Sequence, residues 1–230
     1  MFFSATLDGQ VGRIAGEYTQ DARRHEVASP SRTVEEAEHL FVSVAGGSKV
    51  DALVRLLEED RELALVFVRT KRGADRLVQK LRAQGVRAEA LHGDMRQPAR
   101  ARALARFDSG KIDTLIATDV AARGLDLDRI SHVVNFDPPD DDTSYLHRVG
   151  RTARAGRSGT GVTFVQPDQQ ADVSRIAASL KLHDEFQESG MALAAPRVVY
   201  STGRGRRSLL HRPPRRVVSP RSKGYGATKA

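Results

Sequence analysis

Short apolar runs recur along this chain, and a charged stretch with helical spacing follows each of them. Leu63–Val68 (LALVFV) is continuous, bounded by charge and too short for a helix, which reads as a buried strand. Residues 70–85 (TKRGADRLVQKLRAQG) then set Leu77 and Leu81 four apart on one helical face, with Gly85 as the stop. The alternation continues with a strand over 86–93 and a helix over 97–110. Pro98 lies near the start of that helix, where a missing N–H costs nothing. Strands follow over 114–120 and 131–137, then an arginine-rich helix from Tyr145, a strand over 159–165 and a closing helix over 167–181. Upstream, 39–45 reads as a strand and 48–59 as a helix with Ser48 as its N-cap. No internal repeat interrupts the pattern. Strands alternating with helices of this length predict a parallel sheet covered on both faces, a three-layer α/β/α fold. In such sheets ligands bind beyond the carboxyl ends of the strands.

Composition narrows the setting. There is no cysteine among the 230 residues, so neither a disulfide framework nor a thiolate metal site is available, and no metal site is expected. No apolar run approaches the roughly 20 residues of a membrane helix. The start, MFFSATLDGQ, lacks the long apolar core of a secretory signal. A soluble cytoplasmic monomer without membrane contact is the expectation. The net charge of +8 is unevenly placed. Residues 197–230 hold eight Arg, two Lys and no acid, whereas the other 196 residues carry 27 basic and 29 acidic side chains. A nearly neutral body with a basic tail points to a polyanionic partner, most often nucleic acid. The tail, taken as 191–230, is rich in Gly, Pro, Ser and Arg and is predicted to be disordered.

Three charged constellations fall at predicted strand ends. In YLHRVGRTARAGRSG (145–159), His147 and Arg151 are four apart and Arg151 and Arg154 three apart, so on one helix they share a face. Leu146, Val149 and Ala153 mark an opposite, apolar face, and no carboxylate lies in the stretch. Like charges at that spacing repel, and Gly150, Gly156 and Gly159 each cost about 1 kcal/mol in a helix interior. The arrangement makes sense if an anion arrives, since guanidinium binds phosphate oxygens in a planar fork. In TDVAARGLDLD (118–128), Thr118 offers a hydroxyl, Arg123 a fork, Gly124 a place for close approach, and Asp126 an acceptor for a sugar hydroxyl. In LHGDMRQPAR (91–100), Gly93 and Asp94 end a strand while Gln97 and Arg100 open the next helix, a position that suits either phosphate or plain capping.

In this order, the segments LVFVRTKRGAD, LHGDMRQPAR, ATDVAARGLDL and YLHRVGRTARAGRSG resemble the successive motifs of the second RecA-like domain of DEAD-box ATP-dependent RNA helicases, over about residues 1–182. Ser4–Thr6 (SAT) resembles the motif that closes the first domain. The resemblance implies a catalytic role for Arg151 and Arg154 as arginine fingers on the γ-phosphate of ATP. Asp126 would contact the ribose, with Gly124 beside it. His147 would couple to Ser4 and Thr6, and Arg148 to the acidic ATPase motif of the first domain. Arg72, Gly93, Gln97, Arg100, Thr118, Asp119, Arg123 and Gly124 would line the path of RNA, gripping sugar and phosphate without sequence preference. Ala153 stands where Gly is frequent in the family, which reads as a mild change on the packing face.

The resemblance also implies ATP with Mg²⁺, held mainly by a first domain. The sequence contains no GxxxxGK[ST] loop to cradle phosphates and no DEAD-like strand end; DPPDDD (137–142) reads as an acidic turn that begins the arginine helix. The expectation is therefore a remnant of a first domain with its linker (1–35), a RecA-like helicase domain (36–190) and the basic tail. Alone, such a chain is expected to show no measurable RNA-stimulated ATPase. Alternatives are a stand-alone, non-catalytic RNA-binding module and a DNA helicase fragment.

Overall fold

The computed structural model describes residues 9–20, 23, 37–44, 49–59, 61–123, 125, 127, 129–153 and 157–194. Expectations for Ser4, Thr6, Ser48, Gly124, Asp126, Arg154 and residues 195–230 of the basic tail lie outside the described residues; 191–194 are described, and Met191 is buried against the domain. A helix α1 (Gly9–Tyr18) precedes the alternating part. Then follow β1 (Ala37–Ser43), α2 (Lys49–Glu58), β2 (Leu63–Phe67), α3 (Lys71–Ala83), β3 (Ala88–Leu91), α4 (Gln97–Asp108), β4 (Thr114–Ala117), α5 (Asp119–Ala122), β5 (Ile130–Asn135), α6 (Asp142–Val149), β6 (Gly159–Val165), α7 (Gln170–Ser179) and α8 (His183–Glu188). The strands form one six-stranded sheet in the order β1-β6-β5-β2-β4-β3, with every neighbouring pair parallel.

Period-two alternation within each strand sends side chains to two separate cores. From β2, Ala64 and Val66, followed by Val68, pack with Leu53 and Leu57 of α2 and Leu77 and Leu81 of α3. Leu63, Leu65 and Phe67 point the other way, against Phe107 of α4 and Ala121 and Ala122 of α5. On that same second face, α6, α7 and α8 cover β1 and β6 through Tyr145, Val149, Val173, Ile176 and Phe186. Central strands β2 and β4 are buried along their whole length, which explains their continuous apolar sequence. Each fully buried Leu there contributes roughly 1.5–3 kcal/mol of transfer free energy.

Local chemistry sets the ends of the helices. Thr70 is extended, and its Oγ1 accepts the N–H of Gly73 at 3.0 Å, capping α3. At the other end Gly85 adopts φ 83°, and the N–H groups of Gly85 and Val86 return to the carbonyls of Arg82 and Leu81. Asp141 caps α6 through the Ser144 N–H at 2.6 Å, so the acidic loop does begin that helix.

Two differences from expectation bear on the site. The strand expected over 114–120 stops at Ala117, because the Thr118 carbonyl accepts from the N–H of both Ala121 and Ala122 and winds α5. The arginine-rich helix stops at Val149, with Gly150 as its C-cap. Arg151, Thr152 and Ala153 form a tight turn, so Arg151 is not on a helix face with His147. Ala153 has φ 50°, the left-handed region where a Cβ is costly. Its departure from Gly is thus a matter of backbone conformation rather than of packing alone. The turn lies directly on β6: a Cβ on Gly159 would fall 2.1 Å from Thr152 Oγ1 and 2.6 Å from the Ala153 nitrogen.

Candidate functional site

The carboxyl ends of β2, β4 and β3 gather three of the charged segments. The Thr118 N–H donates to the Leu91 carbonyl and the Val68 N–H to the Ala117 carbonyl, so the chain leaving each strand starts beside its neighbour. Arg72 in the first turn of α3, Gly93 after β3, and Gln97 and Arg123 are exposed; Thr118 is buried and Arg100 half-buried. The Arg100 guanidinium donates to the Ala121 carbonyl at 2.7 Å, tying α4 to α5. His92, buried at the end of β3, is 3.0 Å through Nε2 from the Asp75 carboxylate of α3. An ionised Asp75 accepts only, so Nε2 carries the proton. Nδ1 is buried without a hydrogen-bond partner among the described residues. Lys71 reaches the Asp94 carboxylate at 2.5 Å, and this hydrogen bond, outweighing a small desolvation cost, holds the Asp94 carboxyl below the usual carboxylate range.

Arg148 has a partner after all, 29 residues away in sequence. Its side chain is 5 % exposed, and Nε and a terminal nitrogen grip both Asp119 oxygens at 2.6 and 2.9 Å. The other terminal nitrogen donates to Asn135 Oδ1 at 3.1 Å and to the Asp137 carbonyl at 2.7 Å. The guanidinium lies over the Phe67 ring, 5.0 Å from its centroid. The stretch from Tyr145 thus turns one arginine inward. Asp119, expected on the RNA path, faces that arginine, and Arg148, expected to reach another domain, is engaged within this one.

The polar contacts continue inward. Asn135 Nδ2 donates to Thr163 Oγ1 at 3.0 Å, Thr163 bonds the Tyr145 hydroxyl, and that hydroxyl lies 2.7 Å from His39 Nδ1. Burial pushes the Tyr145 phenol well above its usual range, so its hydroxyl keeps its proton in this chain of contacts. Asn135, Asp75 and Lys71 escaped the sequence reading. Nothing in local periodicity marks them, because their partners come from other elements.

Arg151 is half-buried, and its guanidinium donates to the Leu125 carbonyl at 3.0 Å and, through Nε, to the His147 carbonyl at 3.3 Å. The arginine turn is therefore laced to the segment that follows α5. His147 is exposed. Among the described residues no group of three or more His, Cys, Asp or Glu could hold a metal ion.

Residues 48–156 match the family model described as the helicase conserved C-terminal domain. The DEAD-box ATP-dependent RNA helicase CshA of Bacillus subtilis is 42 % identical over 182 residues, which are 79 % of this chain and 37 % of CshA. CshA of Geobacillus kaustophilus is also 42 % identical, over 79 % of this chain and 39 % of its own length. The chain thus spans well under half the length of these curated relatives. Among solved structures, the Escherichia coli DEAD-box protein SrmB, bound to regulator of ribonuclease activity A, is 39 % identical with a TM-score of 0.56, covering 60 % of this chain and 85 % of that one. The Saccharomyces cerevisiae protein Dbp5, bound to RNA and ADP BeF3, is 31 % identical with a TM-score of 0.66, covering 80 % and 48 %.

Proposed function

The chain belongs to the DEAD-box RNA helicase family, as its helicase C-terminal domain, and from that premise we propose that it supplies half of an RNA-binding cleft and the arginines that act on ATP. Arg72, Gly93, Gln97, Arg100, Thr118, Arg123 and Gly124 grip the sugar–phosphate backbone of single-stranded RNA along the ends of β2, β4 and β3. Arg151 and Arg154 address the γ-phosphate, and Asp126 the ribose. His147 meets Ser4 and Thr6 in the closed cleft. Asp119 serves the site indirectly, by holding Arg148. One observation carries the reading: the Arg148–Asp119 pair, at 2.6 and 2.9 Å, ties the proposed RNA segment to the arginine turn at one edge of the sheet.

For the nucleotide, the donor set fits in part. Arg151 is held at the Leu125 carbonyl, so it is placed to stabilise negative charge on a transferring phosphoryl group. Bound ATP with Mg²⁺ supplies the phosphoanhydride whose cleavage drives remodelling. Its phosphate loop and metal carboxylates belong to a first domain, since neither motif occurs in this sequence. Binding of labelled single-stranded RNA by the 230-residue chain, measured from low to moderate salt, tests the reading. Affinity is expected to fall steeply with salt as counterions are released, and to fall again in Arg100→Ala. A flat salt response would refute it. Competition between matched RNA and DNA strands separates RNA from DNA specificity, because only RNA offers the 2′-OH.

The stand-alone RNA-binding reading rests on the basic run of 197–230. It predicts RNA binding with no nucleotide effect when a first domain is added in trans, whereas the cleft reading predicts RNA-stimulated hydrolysis that Arg151→Ala abolishes.

A further inference from the structure

Among the described residues, the carboxylates of Asp75, Asp119 and Asp94 stand at the proposed RNA edge, and each has an internal partner. Asp75 holds His92 and Asp119 holds Arg148, and both of those partners are buried, at 8 % and 5 % exposure. An acid that neutralises or orients a buried group is part of the fold. Asp94 differs. Its partner Lys71 is 51 % exposed on its side chain, and Asp94 itself is 68 % exposed. No buried charge requires this pair, and solvated pairs of this kind add little to stability. Lys71 also sits where a backbone phosphate would pass. It lies between the cap residue Thr70 and Arg72, and a Cβ on Gly93 would stand 3.7 Å from Lys71 Cε, so its stem lies along the Gly93 backbone.

We propose that Lys71 is a further phosphate ligand of the RNA path and that Asp94 is its internal surrogate, holding the ammonium until a backbone phosphodiester takes it. This rests on the RNA reading above. The free and bound states then differ by an exchange of one anion for another on the same cation. Asp94 would thereby weaken non-productive contacts and set a threshold that a well-placed phosphate must exceed. The carboxylate also repels a strand that approaches without displacing it. A purely structural clamp between α3 and the loop after β3 makes the opposite prediction, because loosening it would impair binding.

The test uses the full 230-residue chain. Asp94→Asn is expected to bind a labelled single-stranded RNA roughly two- to fivefold more tightly at low salt. Lys71→Ala is expected to bind more weakly, with the slope of log affinity against log salt reduced by about 0.7, one phosphate contact on a single strand. Both side chains are more than half exposed, and unchanged melting curves verify that the variants fold. Because the basic C-terminal run can dominate total affinity, a second measurement is positional. RNA is expected to slow acetylation of Lys71 relative to Lys80 on the same helix, whereas inorganic phosphate at equal phosphate concentration leaves the ratio unchanged. Weaker or unchanged binding in Asp94→Asn, or an unprotected Lys71 on RNA that is bound, overturns the proposal and leaves the RNA reading in place. Absence of any salt-sensitive RNA binding by the wild-type chain overturns both.

Discussion

Replacing Asp119 by Asn removes the charge that compensates a buried guanidinium while keeping the shape and one acceptor. Breaking a fully buried ion pair by removing one partner costs about 3–5 kcal/mol. Here the Arg148 side chain is 5 % exposed but the Asp119 side chain is 44 % exposed, so water screens part of the interaction. Arg148 also keeps Asn135 Oδ1, the Asp137 carbonyl and the Phe67 ring. The expected cost is therefore discounted to about 1–2 kcal/mol. For a domain of this size that is a fall in melting temperature of about 2–8 °C. Arg148→Met leaves Asn135 and the Asp137 carbonyl without a donor and is expected to cost at least as much, since each unsatisfied buried acceptor costs about 1–3 kcal/mol. The double variant should be less destabilised than the sum of the two, because the shared interaction is lost only once. Urea unfolding of the four proteins measures this directly. Strict additivity, or an Asp119→Asn variant that melts within 1 °C or so of wild type, would refute the view that this pair holds the arginine turn.

Two further outcomes concern the opposite edge and the turn itself. At Asp113, burial alone would raise the carboxyl, but the Thr114 hydroxyl and the Arg61 and Arg87 guanidiniums outweigh it and hold it below its ordinary value. A lowered folded-state value gives stability that is complete above about pH 4, the unfolded value, and is lost as pH falls through the folded one. The stability gap between wild type and Asp113→Asn, read from urea midpoints, should thus be constant above pH 5 or so and close below pH 4 or so. A gap that widens on acidification contradicts the assignment. Gly159→Ala is expected to cost about 1–3 kcal/mol in thermal unfolding, because its methyl would collide with Thr152 and the Ala153 backbone. A neutral Gly159→Ala would show that the turn can lift off β6.

The alternating architecture was legible because buried parallel strands announce themselves as short apolar runs. Gly85 and Pro98 marked helix boundaries for local steric reasons that any sequence displays. The site was legible only in part. Helical spacing singled out Arg151, yet it lies half-buried in a turn beyond the end of α6, and the inward turn of Arg148 left no mark in the sequence. Its partners Asp119 and Asn135 lie on other elements, brought near by sheet order rather than by helical period. At the end of β4 the sequence did carry a signal: Thr118 and Asp119 interrupt the apolar run, the Thr118 carbonyl closes the first turn of α5, and Val120 is exposed on that helix rather than part of the strand. Ala153 shows the converse, since a residue of high helix propensity occupies a conformation that ends a helix.

The contacts from Arg148 to His39 have a direction. A guanidinium cannot accept, so Asn135 must face it with its oxygen and turn its NH₂ toward Thr163. With its oxygen so occupied, the Thr163 hydrogen is left for Tyr145, whose hydroxyl in turn meets the His39 ring at Nδ1. One permanently charged group thereby sets the Asn135 amide orientation and, through it, the Thr163 hydroxyl rotor on the next strand. A run of side-chain contacts thus joins β1, at one border of the sheet, to the guanidinium that holds Asp119.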